Sequence, residues 1–218
     1  MNTLELNGIG KSYRSKRVLD GVNHTFAPGL TLLVGPSGAG KSTLLALIAS
    51  AQAPSRGRVL WNAQPLPRAR AALRRSLGHA PQAVDLPEDL TAREFARHMA
   101  ALKGLQLPAA DRQFAAIAER IGLLADIHRP IATFSGGMRR RVVFAQALLG
   151  APGLIALDEP TAELDAVTAE QVSGLILERA NEAIVVMTTH LADRLAPRAV
   201  EVLRVQDGAV ARAGAVAA

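Results

Sequence analysis

Residues Gly35, Pro36, Ser37, Gly38, Ala39, Gly40, Lys41 and Ser42 spell G-x-x-x-x-G-K-S, and the flanking sequence supplies the two elements such a loop joins. Leu30–Val34 is short, apolar and β-compatible, whereas residues 43–49 read as a buried helix. The pattern therefore predicts a strand, a glycine-rich turn and a helix in succession, the opening unit of an α/β fold built on a mostly parallel sheet. The glycines allow the loop to wrap its backbone N–H groups around phosphates. Lys41 is placed to reach the β- and γ-phosphates of a nucleotide as a point charge, and the Ser42 hydroxyl to ligate magnesium. The first helical turn, through Thr43, adds positive potential.

A second segment complements the first. Leu154–Leu157 is an apolar strand that runs into two carboxylates, Asp158 and Glu159, the arrangement expected at the carboxyl edge of a parallel sheet. Asp158 is expected to hold the magnesium ion, and Glu159, one residue further out, to polarise an attacking water. Short segments near Leu4–Leu6, Val18–Phe26, Leu30–Val34 and Arg58–Trp61, punctuated by Gly and Pro, predict an antiparallel sheet beside the phosphate-loop unit. From about Thr91 the pattern turns helical. Thr91-Ala92-Arg93-Glu94 is a capping-box sequence, with Phe95, Met99 and Leu102 on one predicted face and Gly104 as a stop. Further helices are expected over Asp111–Ile121, from Gly136-Gly137 to Leu149, and over Ala166–Ala180. A strand over Ile184–Met187 and a hairpin around Gln206-Asp207-Gly208 complete the reading. The expected organisation is one domain over residues 1–218, with a helical subdomain at about 84–150 inserted into the α/β core.

Composition narrows the field of partners. Lys and Arg number 25 against 19 Asp and Glu, a formal charge of +6, which on its own suits nucleic acid, anionic lipid or nucleotide phosphates. Aromatic residues are only 3% of the chain, so bases would find no stacking platform, and no specific nucleic-acid partner is expected. Arg139, Arg140 and Arg141 form the one tight basic cluster, read as a solvated helix face. No apolar run approaches a membrane span, no cysteine is present, and the N-terminal residues lack a secretory signal. A cytoplasmic location is expected.

Three more signals sharpen the reading. Phe134-Ser135-Gly136-Gly137-Met138 precedes a predicted helix, Ala162-Glu163-Leu164-Asp165 follows the paired carboxylates, and His190 follows the strand ending at Met187-Thr188-Thr189. With these in place the chain resembles, over nearly its whole length, the nucleotide-binding subunit of an ATP-binding cassette (ABC) transporter. The resemblance implies an ATPase with ATP and Mg2+ as cofactors. It matches Tyr13 to the aromatic residue that stacks on adenine, Gly35–Ser42 to the Walker A loop and Gln82 to the Q-loop glutamine that contacts magnesium and water. Ser135, Gly136 and Gly137 match the signature motif, Asp158 and Glu159 the Walker B pair, Asp165 the D-loop, and His190 the switch histidine. It further implies that each signature motif serves a second subunit's ATP, so that two cassettes, expected to be identical, meet head to tail.

Phe134, Met138 and Glu163 depart from the usual pattern, Glu163 standing where a small residue is common. The flanking sequence looks like the branch that drives drug, antibiotic or polysaccharide export through a separate transmembrane permease. That would place the chain on the inner face of the membrane, with about Ala83–Leu90 passing motion to the partner. An importer ATPase, and a non-transporter ABC ATPase acting on DNA or the ribosome, are the alternatives.

Overall fold

The computed structural model describes residues 1–83 and 85–213. Val84, at the start of the expected helical insertion and inside the Ala83–Leu90 segment, lies outside the described residues. In chain order the elements are β1 (Leu4–Tyr13), β2 (Lys16–Phe26), β3 (Gly29–Val34), α1 (Lys41–Ile48), β4 (Arg56–Trp61) and β5 (Gln64–Pro65). They continue with α2 (Arg70–Arg75), β6 (Leu77–Ala80), α3 (Ala92–Leu102), α4 (Leu107–Arg120) and α5 (Gly136–Ala147). The remainder is β7 (Leu154–Asp158), α6 (Ala166–Ala180), β8 (Ile184–Thr188), α7 (Ala192–Leu195), β9 (Glu201–Gln206) and β10 (Ala209–Arg212).

Two sheets organise these strands. One is antiparallel in the order β2-β1-β4-β5; the other runs β10-β9-β3-β8-β7-β6 and is parallel except for the terminal β9–β10 hairpin. The fold is thus the expected α/β phosphate-loop architecture with an N-terminal antiparallel sheet. One strand changes sheets relative to the sequence reading: Leu30–Val34 belongs to the parallel sheet, between β8 and β9. The reason is burial on both faces, since every residue from Gly29 to Leu33 is buried, as a central parallel strand requires. Four-residue β6 and the short helix α2 carry too little periodicity to stand out in the sequence.

Side-chain alternation divides the core in two. On β7, Ile155 and Leu157 face a cluster containing Phe114, Val142, Phe144 and Ile176 from the helices. Leu154 and Ala156 face the opposite side, with Leu44, Leu45 and Ile48 of α1 and Leu4, Phe26 and Trp61 of the antiparallel sheet. At about 1.5–3 kcal/mol per fully buried large apolar side chain, this two-sided packing fixes β7, and with it whatever its last residues carry.

The helices between β6 and β7 follow their start signals. Thr91 and Glu94 form the full reciprocal capping box, yet the buried face of α3 is Ala92, Ala96 and Ala100, while Leu102 is 68% exposed. Close approach of α4 and α5 explains the correction, because small residues let helix axes come near. Helix α4 begins at Leu107 rather than Asp111, with Pro108 in its first turn where a missing N–H costs nothing.

Candidate active site

Strands β3, β8, β7 and β6 lie side by side and point the same way. Whatever follows each of them must therefore emerge at one edge of the sheet. Those followers are the glycine loop after β3, Thr189 and His190 after β8, Glu159 after β7, and Gln82 just beyond β6. A cleft of about 620 Å³ opens there, lined by the loop, Lys41, Ser42, Thr43, Gln82, Asp158, Glu159 and His190.

The loop's geometry explains its glycines. Gly35 has φ +141°, and a Cβ on it would stand 2.1 Å from the carbonyl oxygen of Val205 on β9. Gly40, the residue before α1, has φ +106°, and its Cβ would meet Val18 at 2.9 Å. Lys41 Nζ donates to the carbonyls of Gly35 and Pro36 at 2.8 and 2.9 Å, so the ammonium sits in the concavity of the loop. The first-turn N–H groups of α1 have no intrahelical acceptor and face the same way as the helix dipole's positive end.

Across the cleft, one side chain ties the two acidic residues together. Thr188, fully buried and paired in register with Asp158, donates its hydroxyl to Asp158 Oδ1 at 2.6 Å and accepts the Glu159 N–H at 2.9 Å. Glu159 is 8% exposed and adopts φ +52°, a left-handed conformation that costs a non-glycine residue about 1–2 kcal/mol. Its carboxylate accepts the His190 backbone N–H at 3.1 Å, and the His190 ring Nε2 lies 3.5 Å from the other oxygen. The His190 side chain is otherwise open to the cleft, 84% exposed, and does not cap α7. Behind Asp158, burial holds the His79 imidazole below its ordinary pKa, with the Asp158 charge pulling the other way. Sequence reasoning missed Thr188; the available signal was a hydroxyl residue ending an otherwise aliphatic strand.

The chemistry of this donor set fits a magnesium nucleotide. A concave run of backbone donors with one ammonium suits phosphate oxygens, while a hydroxyl and a buried carboxylate facing each other across the cleft are hard oxygen ligands of the kind magnesium takes.

Other residues singled out from the sequence stand apart from this cleft. Tyr13 ends β1, 43% exposed, with its hydroxyl on Gln52 and Lys11 Nζ 5.1 Å from its ring centroid; it is not a core residue. Ser135 caps α5 by accepting the Met138 N–H at 3.3 Å. Gly136 and Gly137 have an intramolecular reason to be glycine, since added Cβ atoms would lie 2.9 Å from Glu163 Oε2 and 3.2 Å from the Glu163 carbonyl. Asp165 caps α6, accepting from the Thr168 N–H and hydroxyl, and those bonds hold its carboxyl below the usual range. The arginine cluster is not a solvated face. Arg139 holds the Phe134 carbonyl and Glu88; Arg140 holds the Glu159 carbonyl and Glu163; Arg141 donates to the carbonyls of Ile121 and Gly122 at the end of α4.

A phosphate loop, paired carboxylates and a histidine delivered to one cleft by parallel strands define an α/β nucleoside triphosphatase. The chain belongs to the ABC transporter family, whose sequence profile matches residues 19–162, from within β2 to just past Glu159. It is an ATP-binding, ATP-hydrolysing cassette. It is 37% identical to the lipoprotein-releasing system ATP-binding protein LolD of Pseudomonas fluorescens, over 94% of this chain and 95% of that one. It is 32% identical to the Nod factor export ATP-binding protein I of Paraburkholderia xenovorans (89% and 66%) and 39% identical to the phosphonates import ATP-binding protein PhnC of Alcaligenes faecalis (82% and 70%). Among solved structures it resembles the dimeric structure of MJ0796, a bacterial ABC transporter cassette, with a TM-score of 0.87 at 25% identity over 96% of this chain and 97% of that one.

Proposed function

We propose that this chain is the ATP-hydrolysing subunit that energises export through a separate transmembrane permease, working as a dimer of two identical cassettes with ATP between them. The observation that carries the catalytic part is the Thr188 tie, which holds Asp158 and Glu159 in fixed relation opposite the phosphate loop. Lys41, Ser42 and the loop amides bind the triphosphate; Ser42, Gln82 and Asp158 hold Mg2+, which when bound neutralises phosphate charge. Glu159 orients the attacking water and takes its proton, and His190 donates toward the γ-phosphate. Tyr13 stacks on the base.

Ser135, Gly136 and Gly137, at the N-terminus of a 12-residue helix, provide an anion site away from the chain's own phosphate loop. Its use by the partner cassette's nucleotide, with Asp165 at the junction, makes the dimer the working unit. The dimeric cassette it resembles supports this reading. Export is favoured because the LolD and Nod factor relatives are lipoprotein-releasing and export ATP-binding proteins; the phosphonate relative keeps import as the rival. No helix among the described residues is long and apolar enough to cross a membrane, so in this reading the permease holds the chain at the inner face of the membrane. The residues between β6 and β7 act as the helical insertion of a single cassette domain.

The test is Glu159→Gln. ATP affinity is expected to stay within twofold of the parent, while turnover falls about 10²–10⁴-fold, the ordinary weight of a positioned base. Turnover close to the parent would remove Glu159 from this role.

A further inference from the structure

Arg140 lies on the second turn of α5, the helix that Ser135 caps and Gly136 and Gly137 open. Its side chain is only 17% exposed and reaches across to the segment after β7. One guanidinium nitrogen donates to the Glu159 carbonyl at 2.9 Å, and the other meets Glu163 Oε1 at 3.2 Å. The same Glu159 carbonyl accepts the Ala162 N–H at 3.1 Å, closing a tight turn over Glu159, Pro160, Thr161 and Ala162. Glu159, which opens that turn, and Glu163, the residue that follows it, are both left-handed, at φ +52° and +62°. Neither is glycine, so surrounding contacts must hold them there. At Glu159 those contacts are Thr188 on the N–H, Arg140 and Ala162 on the carbonyl, and the His190 N–H on the carboxylate. The same arginine thus grips the backbone of the carboxylate-bearing residue and the carboxylate that packs against Gly136.

We propose that Arg140 is a positioning residue for hydrolysis: its guanidinium clamps the Glu159–Glu163 turn to α5, so that the Glu159 carboxylate is held in its working orientation only while α5 and the turn are docked. The bidentate fork spans two acceptors on one rigid turn, which a flexible ammonium does less well and a neutral side chain not at all. Because the clamp sits one turn behind the Ser135 anion site, a shift of α5 on taking up phosphate is transmitted to the Glu159 main chain. Glu163 completes the clamp, which gives a role to an acidic residue where a small one is common. The proposal rests on the assignment of Glu159 to the attacking water.

The experiment measures kcat and KM for ATP, nucleotide-binding stoichiometry and thermal midpoint for Arg140→Met, Arg140→Gln, Arg140→Lys, Glu163→Gln and the Arg140→Met/Glu163→Gln double variant, beside Glu159→Gln. Loss of one charge-assisted hydrogen bond predicts that Arg140→Met and Arg140→Gln each lower kcat about tenfold, with KM within twofold and stoichiometry unchanged. Arg140→Lys should recover kcat to within about threefold of the parent. Glu163→Gln should give a smaller loss, and the double variant no more than Arg140→Met alone, because the two side chains act as a unit. An unchanged kcat in both Arg140→Met and Arg140→Gln overturns the clamp, as does a kcat loss matched by lost binding stoichiometry, or losses that multiply in the double variant. If Glu159→Gln is inactive while both Arg140 variants turn over normally, the clamp alone falls; if Glu159→Gln is itself active, the Glu159 assignment falls with it.

Discussion

Thr188→Val is the substitution that most sharply probes how the carboxylate pair is held. Valine has the shape of threonine, so no cavity opens in a residue that is fully buried. What disappears is the hydroxyl between Asp158 Oδ1, 2.6 Å away, and the Glu159 N–H, 2.9 Å away. Losing a hydrogen bond to a charged group costs about 1.5–3 kcal/mol, and leaving a buried N–H without an acceptor about 1–3 kcal/mol. Asp158 is 8% exposed and can recover part of its loss from cleft water, so the expected destabilisation is about 3 kcal/mol. For a chain of 218 residues that corresponds to a fall of roughly 6–12 °C in thermal midpoint. Urea unfolding followed through Trp61, the single tryptophan and only 4% exposed, reads the stability change, and a steady-state ATPase assay reads the site. Turnover should fall at least tenfold, because the Glu159 backbone loses its tether. Thr188→Ser keeps both hydrogen bonds and should lose only the stability of a buried methyl group, about 1 kcal/mol, with turnover near the parent. Thr188→Val within about 0.5 kcal/mol of the parent and equally active would refute the reasoning.

Two further outcomes follow from packing and charge. Burial pushes Lys103 from its ordinary 10.5 to about 8, with the ammonium donating to the Leu149 carbonyl at 3.1 Å. Between those values the unfolded chain binds the proton that the folded chain has released, so this group makes stability rise as pH climbs from about 8 to 10.5. Lys103→Met should flatten that rise and stabilise the protein by about 2 kcal/mol at pH 7, checked by urea unfolding across the range; an unchanged pH slope would refute it. Gly35→Ala would force a methyl group against the Val205 carbonyl in a backbone conformation alanine resists, and should cost about 2–4 kcal/mol and weaken ATP binding; parental stability and affinity would count against the loop geometry.

Much of this site could be read from the chain because its parts are local. The loop's glycines, the Asp158-Glu159 ending of an apolar strand and the Thr91 capping box each depend on residues a few positions apart, and each stands where expected. Helix α6 matches its predicted limits at both ends, since Asp165 supplies an N-cap and the apolar pattern is long. What was not legible depends on partners far along the chain. Thr188 matters only because β8 pairs with β7 in a register that sets it beside Asp158. In the sequence Arg140 is one of three adjacent charges, and nothing near it announces the Glu159 carbonyl that it holds. The sheet that Leu30–Val34 joins is decided by its neighbours, here β8 and β9, and not by the strand itself. The alanine face of α3 was hidden by larger apolar residues, and helix packing favoured the small ones.

In the proposed function the catalytic pocket is completed by two protomers. Sedimentation equilibrium of the Glu159→Gln protein, with and without excess ATP and magnesium, tests it directly. A monomer that becomes a stable dimer on adding ATP, with two nucleotides per dimer, is the expected result. A protein that binds ATP and remains monomeric at every concentration would contradict it.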